Sequence, residues 1–264
     1  MTLDPAYAAA ERTAAAQRLI ARAQAEIVDL VTVSALDLCV LDGPRQPLFE
    51  ERVAHAWVKL GERQRRKVME EVIASMLQRG LLIDDHPLPG ARQHVSNYSL
   101  KPELGLMLAA RCRPAFVVVA VGESPGLRPL NLFALGDQSK PVQGIVAEVP
   151  TELPPERASA YPGTRKLGPL GWIYRYVLVS PVNAAEIIAR WTISPPPQTP
   201  MRYLVSAYRP DHEHPVGYHL GVRGDGTWAV VDGPGIESTE PTGTSYDLEG
   251  LSGLMLSLLS AAAR

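Results

Sequence analysis

Cysteine is scarce in this chain, with only Cys39 and Cys112 among 264 residues. Neither belongs to a CxxC pair or has a histidine at ligand spacing, so the sequence contains no zinc-binding or dithiol redox motif. Two unpaired thiols are typical of a protein that works in a reducing compartment. We therefore predict a cytoplasmic protein without a metal centre.

Long apolar runs and an excess of positive charge are also missing. No stretch reaches 18 consecutive apolar residues, so no transmembrane helix is predicted, and Glu11, Arg12, Arg18 and Arg22 interrupt the region where a signal peptide would need an apolar core. The formal net charge is -2. A chain with this balance is not expected to hold a polyanion non-specifically.

Catalytic signatures are absent as well. The chain has no phosphate-binding GxxxxGK[ST], no GxGxxG between a strand and a helix, and no GxSxG or HExxH motif. Its nearest approach to a metal site is the run Asp211, His212, Glu213 and His214 with His219 nearby, which we interpret as an exposed turn between strands. We predict no catalytic, cofactor-binding or metal-binding residue and no enzymatic activity.

The chain is organised around the segment from Val68 to Val121. Apolar residues at three- and four-residue steps predict a helix that Gly80 ends, and Leu81–Ile83 and Tyr98–Leu100 predict a hairpin. Pro102 then suits the first turn of a further helix. This order is typical of a winged helix. It is followed by FVVVAV at 116–121, which predicts a buried strand.

The third predicted helix begins with a basic cluster. Its members are Arg63, Arg65, Arg66 and Lys67. On a winged helix such residues can contact DNA phosphates and bases. Because Glu62, Glu70 and Glu71 can offset them through i,i+4 pairs, we favour a solvated helix face. A DNA-binding transcription regulator with a C-terminal sensing domain remains the alternative hypothesis.

After residue 113 the pattern changes to short strands that repeat. Strands at 116–121, 130–137, 142–149 and 173–180 precede a helix from Asn183 to Trp191, and strands at 202–208, 217–226 and 227–233 precede a helix from about Leu248 to Ala263. Gly136-Asp137 and Gly224-Asp225 follow equivalent strands. The sequence thus predicts an α+β fold with a helical, winged-helix-like region at 1–113 and a pseudo-twofold antiparallel body at 114–264.

Several segments resemble one known family. LDGPRQPLF at 41–49, QRGLL at 78–82, LKPELGLMLAARCRP at 100–114 and the duplicated meander-plus-helix body resemble the EspG family of the ESX, or type VII, secretion systems of actinobacteria. The resemblance implies a cytosolic chaperone that is not an enzyme and that keeps helical export substrates soluble until secretion. The segment HPLPGARQHVSNY is longer than the family pattern.

A helical protein partner is predicted to bind the sheet loops and the edge of the last helix. In that helix Leu251, Leu254, Met255, Leu258 and Leu259 would face inward, which leaves two leucines near the edge. The predicted partner-binding residues are Leu127, Leu153, Tyr161, Leu167, Leu248 and Leu256. The competing interpretation is that these side chains simply cover the sheet.

Overall fold

A computed structural model describes residues 5–41, 50–84, 98–123, 127–136, 142–153, 161, 168–192, 201–223, 225–232 and 243–264. Over these ranges the helices are α1 (Pro5–Ala23), α2 (Ala35–Leu41), α3 (Glu51–Lys59), α4 (Glu62–Gln78), α5 (Pro102–Cys112), α6 (Pro181–Trp191) and α7 (Leu248–Ala262). The strands are β1 (Val28–Ser34), β2 (Leu82–Asp84), β3 (Tyr98–Leu100), β4 (Val117–Gly122), β5 (Leu130–Leu135), β6 (Gly144–Thr151), β7 (Ile173–Val179), β8 (Arg202–Tyr208), β9 (Val216–Val222), β10 (Trp228–Asp232) and β11 (Thr244–Tyr246). A short 3-10 helix covers Gly168–Gly171. The chain is an α+β protein, as predicted.

The segment from Val28 to Leu41 contains a strand followed directly by a helix. Strand β1 passes directly into α2 at Ser34. The Ser34 hydroxyl accepts a hydrogen bond from the Asp37 backbone N–H at 3.0 Å, and the Asp37 carboxylate accepts one from the Ser34 N–H at 2.8 Å. This reciprocal capping box satisfies two backbone donors where the strand ends and the helix begins.

The predicted helix, hairpin and helix around Gly80 are confirmed as α4, β2, β3 and α5. Strands β2 and β3 pair antiparallel with Leu82 opposite Leu100. Gly80 follows α4 with a φ of 63°, a left-handed conformation in which glycine avoids the Cβ clash of other residues. The predicted winged-helix architecture itself stays a prediction, and residues 85–97, which include most of HPLPGARQHVSNY, lie outside the described residues.

Within the described residues, nine strands form one sheet in the order β1-β7-β6-β5-β4-β8-β9-β10-β11. Strand β4 pairs antiparallel with both β5 and β8, and the antiparallel pairing continues from β5 to β6 and from β8 through β9 and β10 to β11. Neighbouring strands are therefore mostly joined as meanders, which is the arrangement that short connections allow.

Along the described parts of the chain, the sequence of four strands followed by a helix occurs twice, first as β4 to β7 with α6 and then as β8 to β11 with α7. The first strands begin 85 residues apart (117 and 202), the second 86 apart (130 and 216) and the third 84 apart (144 and 228). The two copies meet where β4 pairs with β8. The second copy contains β11, which is not among the strands that the sequence predicted. Superposition of the two copies stays a prediction, and Asp137 and Gly224 of the paired turns lie outside the described residues.

One face of the sheet forms a hydrophobic core with α6 and α7. Alternate side chains of β4, β5, β8 and β10 pack against Ala185 and Ile188 of α6 and against Leu251 and Met255 of α7. The Trp228 indole N–H donates to the Thr192 hydroxyl at 2.9 Å, so this buried ring leaves no unpaired donor. Burial of the α7 stripe confirms the inward direction predicted for Leu251, Met255, Leu258 and Leu259.

Contacts divide the chain into two compact units. The first contains Met1–Gln17, Leu30–Cys112 and Pro150–Tyr176, and the second contains Arg18–Asp29, Arg113–Val149 and Val177–Arg264. One of the divisions between these units falls after Cys112, and the predicted domain boundary at 113 stays a prediction. How many parts fold independently stays a prediction. No described helix is long and apolar enough to cross a membrane.

The side chains of Cys39 and Cys112 lie in different environments, and we expect their thiols to react differently. Cys39 lies buried in α2, where burial raises the pKa of its thiol to about 12, while Cys112 is exposed at the end of α5. The thiolate is the reactive form, so a colorimetric thiol reagent should label Cys112 quickly in the folded protein and Cys39 only after denaturation. The Cys112→Ser variant is the control and should show no fast phase. Equal labelling rates for both thiols would contradict this prediction.

Candidate functional site

An open apolar groove lies between α6 and α7. Each helix begins with a side-chain cap: the Ser180 hydroxyl accepts from the Asn183 N–H at 3.3 Å, and the Asp247 carboxylate accepts from the Gly250 N–H at 2.8 Å. The capped early turns of both helices line the groove, which has a volume of about 570 Å³. Its lining residues are Val182, Ala185, Glu186, Asp247, Leu248, Glu249, Ser252, Gly253 and Leu256.

The groove combines large apolar walls with small residues. Val182 is 61% exposed, and Leu248 and Leu256 pack only partly against the core beneath them. Ala185 and Gly253 add little bulk between these side chains. The volume lies within the range of roughly 300–1,000 Å³ that is usual for ligand-binding clefts. Both edge leucines that the sequence predicted for α7 therefore lie in one groove.

Nothing in the described part of the chain requires a glycine at position 253. A Cβ added there would find no atom of the described residues within 4 Å, and the φ of Gly253 is not in the left-handed region. A glycine inside a helix costs about 0.5–1 kcal/mol relative to alanine because it loses more backbone freedom on folding. The sequence interpretation did not single out Gly253. Its signal was a second glycine, three residues after Gly250, inside a leucine-rich helix.

Comparison of the chain with protein-family models, curated proteins and solved structures gave no match.

The other predicted partner-binding residues lie in different places. Leu127 packs against the same core as α6 and α7, and its Cδ2 lies against the Cα of Gly122, where any side chain would collide with it. Leu153 is partly buried and belongs, like Tyr161, to the first unit. Leu167 lies outside the described residues. Of the predicted set, the structure brings Leu248 and Leu256 together in one groove, and whether any member contacts a partner stays a prediction.

Tyr161 makes specific contacts within the first unit. Its hydroxyl donates to the Thr32 carbonyl at 3.2 Å, and the Arg79 guanidinium carbon lies 4.4 Å from the centre of its ring. A cation over an aromatic face is attracted by the ring quadrupole. Tyr161 therefore fixes one point of the long connection between β6 and β7.

A second exposed apolar surface lies on the opposite face of the sheet, and the sequence interpretation missed it. Val121, Leu204, His219 and Val231 are opposite one another across β4, β8, β9 and β10. Val121 is 42% exposed and Leu204 is 38% exposed. The prediction of a buried strand at 116–121 is wrong at Val121, where no element within the described ranges covers the outward face.

The basic cluster at the start of α4 is partly neutralised by its own helix. Arg66 lies 3.7 Å from Glu62 and Lys67 lies 3.9 Å from Glu71. Both pairs have the predicted i,i+4 spacing, and both are exposed, so they add little stability but reduce the local positive potential. Arg65 instead lines a mixed groove of about 610 Å³ with Trp57, while Arg63 is exposed.

The turn between β8 and β9 is held by an ion pair. The Arg209 guanidinium donates to both carboxylate oxygens of Asp211 at 2.9 and 2.7 Å, and this hydrogen bonding lowers the pKa of Asp211. His212 and His214 are exposed beside it. Within the described ranges, no group of three or more histidine, cysteine, aspartate or glutamate side chains has an arrangement that could hold a metal ion.

Proposed function

We propose that this protein is a non-catalytic cytosolic chaperone or adaptor that binds a helical segment of a secretion substrate, as EspG-like proteins of type VII systems do. The observation that carries the proposal is the open groove between α6 and α7, walled by Val182, Leu248 and Leu256. A partner that buries its own apolar side chains there would be shielded from water and from self-association.

A helix is the partner that this groove suits best. Leu248 and Leu256 are eight residues apart, a distance of about 12 Å along a helix, so the wall can contact two turns of an approaching helix. In this recognition mode, apolar side chains at i, i+3, i+4 and i+7 of the partner enter an apolar groove. Each square ångström of apolar surface that they bury contributes about 25 cal/mol.

Two further features support a binding role over catalysis or DNA binding. The repeated four-strand-plus-helix order is compatible with the resemblance to the EspG family. The basic cluster on α4 has glutamates within 4.0 Å of two of its four members. We therefore keep the DNA-binding transcription regulator as the second hypothesis. The partner-recovery experiment described next also tests it.

The substitution Leu256→Glu is expected to abolish recovery of the partner. A charge in the groove wall would have to be desolvated whenever a partner helix docks. The tagged chain, purified from its native host, should bring down helical type VII secretion proteins identified by mass spectrometry, and the variant should not. Its thermal midpoint should fall by less than about 4 °C, since a partly exposed position costs at most about 1 kcal/mol.

The matched control is Val58→Glu, which places the same charge at a residue that is 67% exposed in the first unit. This variant should recover the partner as well as the unchanged chain does. Equal recovery by the Leu256→Glu variant would overturn the groove as the docking site. Recovery of specific DNA fragments in place of helical proteins would favour the transcription regulator.

A further inference from the structure

We infer that the helix bound between α6 and α7 carries lysine or arginine residues beside its apolar stripe and crosses α7 at Gly253. This inference rests on the proposed function, because it assumes that the partner is helical. It adds the charge of the partner segment and the point of closest approach.

The charge follows from the rim of the groove. Among the lining residues that the structure describes, Glu186, Asp247 and Glu249 carry carboxylates and none is a lysine or arginine. Arg190 lies 2.6 Å from Glu186 and offsets its charge, and Asp247 is engaged as the cap of α7. Glu249 is exposed, and within the described part of the chain it forms no ion pair. Its negative charge is therefore not offset.

Charge complementarity therefore favours a basic partner. Like charges brought together across an interface weaken binding, whereas opposite charges speed the encounter and fix the register. An acidic or neutral helix would remove water from around the Glu249 carboxylate on docking without supplying a positive charge to pair with it. Lysine or arginine residues that flank the apolar stripe would instead meet Asp247 and Glu249 at the rim, while the stripe itself enters the groove.

The crossing point follows from Gly253. The distance between two packed helices is roughly 8–10 Å and depends on the side chains at their contact. At Gly253 the backbone of α7 has no side chain and the space above it is open. A partner helix can approach α7 most closely there, with Leu248 on one side of the crossing and Leu256 on the other.

Two synthetic helical peptides test this inference with the full-length protein. Both carry leucine at i, i+4, i+7 and i+11, and they differ only in whether the flanking positions are lysine or glutamate. In fluorescence anisotropy at low salt, the lysine peptide is expected to bind at least about tenfold more tightly than the glutamate peptide. The preference should shrink as salt screens the rim charges.

The variant Glu249→Lys should remove or reverse the preference, whereas Glu71→Lys makes the same charge change in the first unit and should leave it intact. The same variants should unfold at similar temperatures, because both positions are exposed. Loss of preference in Glu71→Lys as well would overturn the assignment to the rim.

The outcomes also separate this inference from the proposed function. If both peptides bind equally and Leu256→Glu abolishes both, the groove is a docking site but its selection for basic helices is refuted. If neither peptide binds, or if Leu256→Glu has no effect on binding, the groove is not the docking site. The proposed function would then have no structural support.

Discussion

A phenylalanine at position 253 is expected to weaken partner binding by about 100-fold or more without lowering the thermal midpoint. The side chain of Gly253→Phe would occupy the open space of the groove between Leu248 and Leu256. Docking would then require the ring to be displaced or the partner helix to move outward, which forfeits its buried apolar contacts. Isothermal titration with the purified partner, beside a thermal melt, measures both effects.

Two variants control for this result. Gly253→Ala should raise the free energy of unfolding by about 0.5–1 kcal/mol, because alanine is the better helix former, and should retain most of the binding. Ser257→Phe places the same ring on an exposed position one turn later in α7, outside the groove lining. Its affinity should stay close to that of the unchanged protein. A weak effect of Gly253→Phe, or an equal effect of Ser257→Phe, would contradict a partner helix at this place.

Most elements of the fold could be predicted from the sequence because their signals are local. The period of Val72 and Met76 in α4 and the strand–turn spacing after Arg113 depend on residues that are close together in the chain. Strand β11 was missed because Thr244, Ser245 and Tyr246 have no alternation of apolar side chains, and their strand conformation depends on pairing with β10. The residues of a short polar segment do not indicate by themselves which strand they will pair with.

The candidate site could be predicted only in part for the same reason. The stripe of α7 placed Leu248 and Leu256 near its edge, since three- and four-residue steps define a helical face. The groove also needs Val182 and Ala185 of α6, which are more than 60 residues earlier in the chain. Only tertiary packing places these residues opposite α7, so the open space above Gly253 had no counterpart in the sequence pattern.

A buried ion pair shows how tertiary structure adds a requirement that the sequence did not indicate. Arg79, just after α4, donates to the Asp37 carboxylate of α2 at 3.0 Å, and the Asp37 side chain is fully buried. Arg79 also donates to the Ser75 hydroxyl at 3.2 Å and to the Thr32 carbonyl at 3.4 Å. One guanidinium therefore joins α2, α4 and β1 within the first unit.

Arg79→Ala is expected to lower the free energy of unfolding by about 3–5 kcal/mol, because it leaves the buried Asp37 charge without its ion-pair partner. Burial already raises the pKa of Asp37, and the Arg79 guanidinium opposes that rise; removing Arg79 should raise the pKa further. A carboxyl group whose pKa is higher in the folded than in the unfolded state stabilises the fold at low pH and loses that contribution as pH rises.

The stability lost in Arg79→Ala should therefore be smaller at about pH 5 than at about pH 8 when it is measured by urea titration. Adding Asp37→Asn should recover part of that stability at neutral pH, because it removes the buried charge that has lost its partner. A deficit that is independent of pH and unchanged by Asp37→Asn would mean that Arg79 acts through its packing on Tyr161 and not through the ion pair.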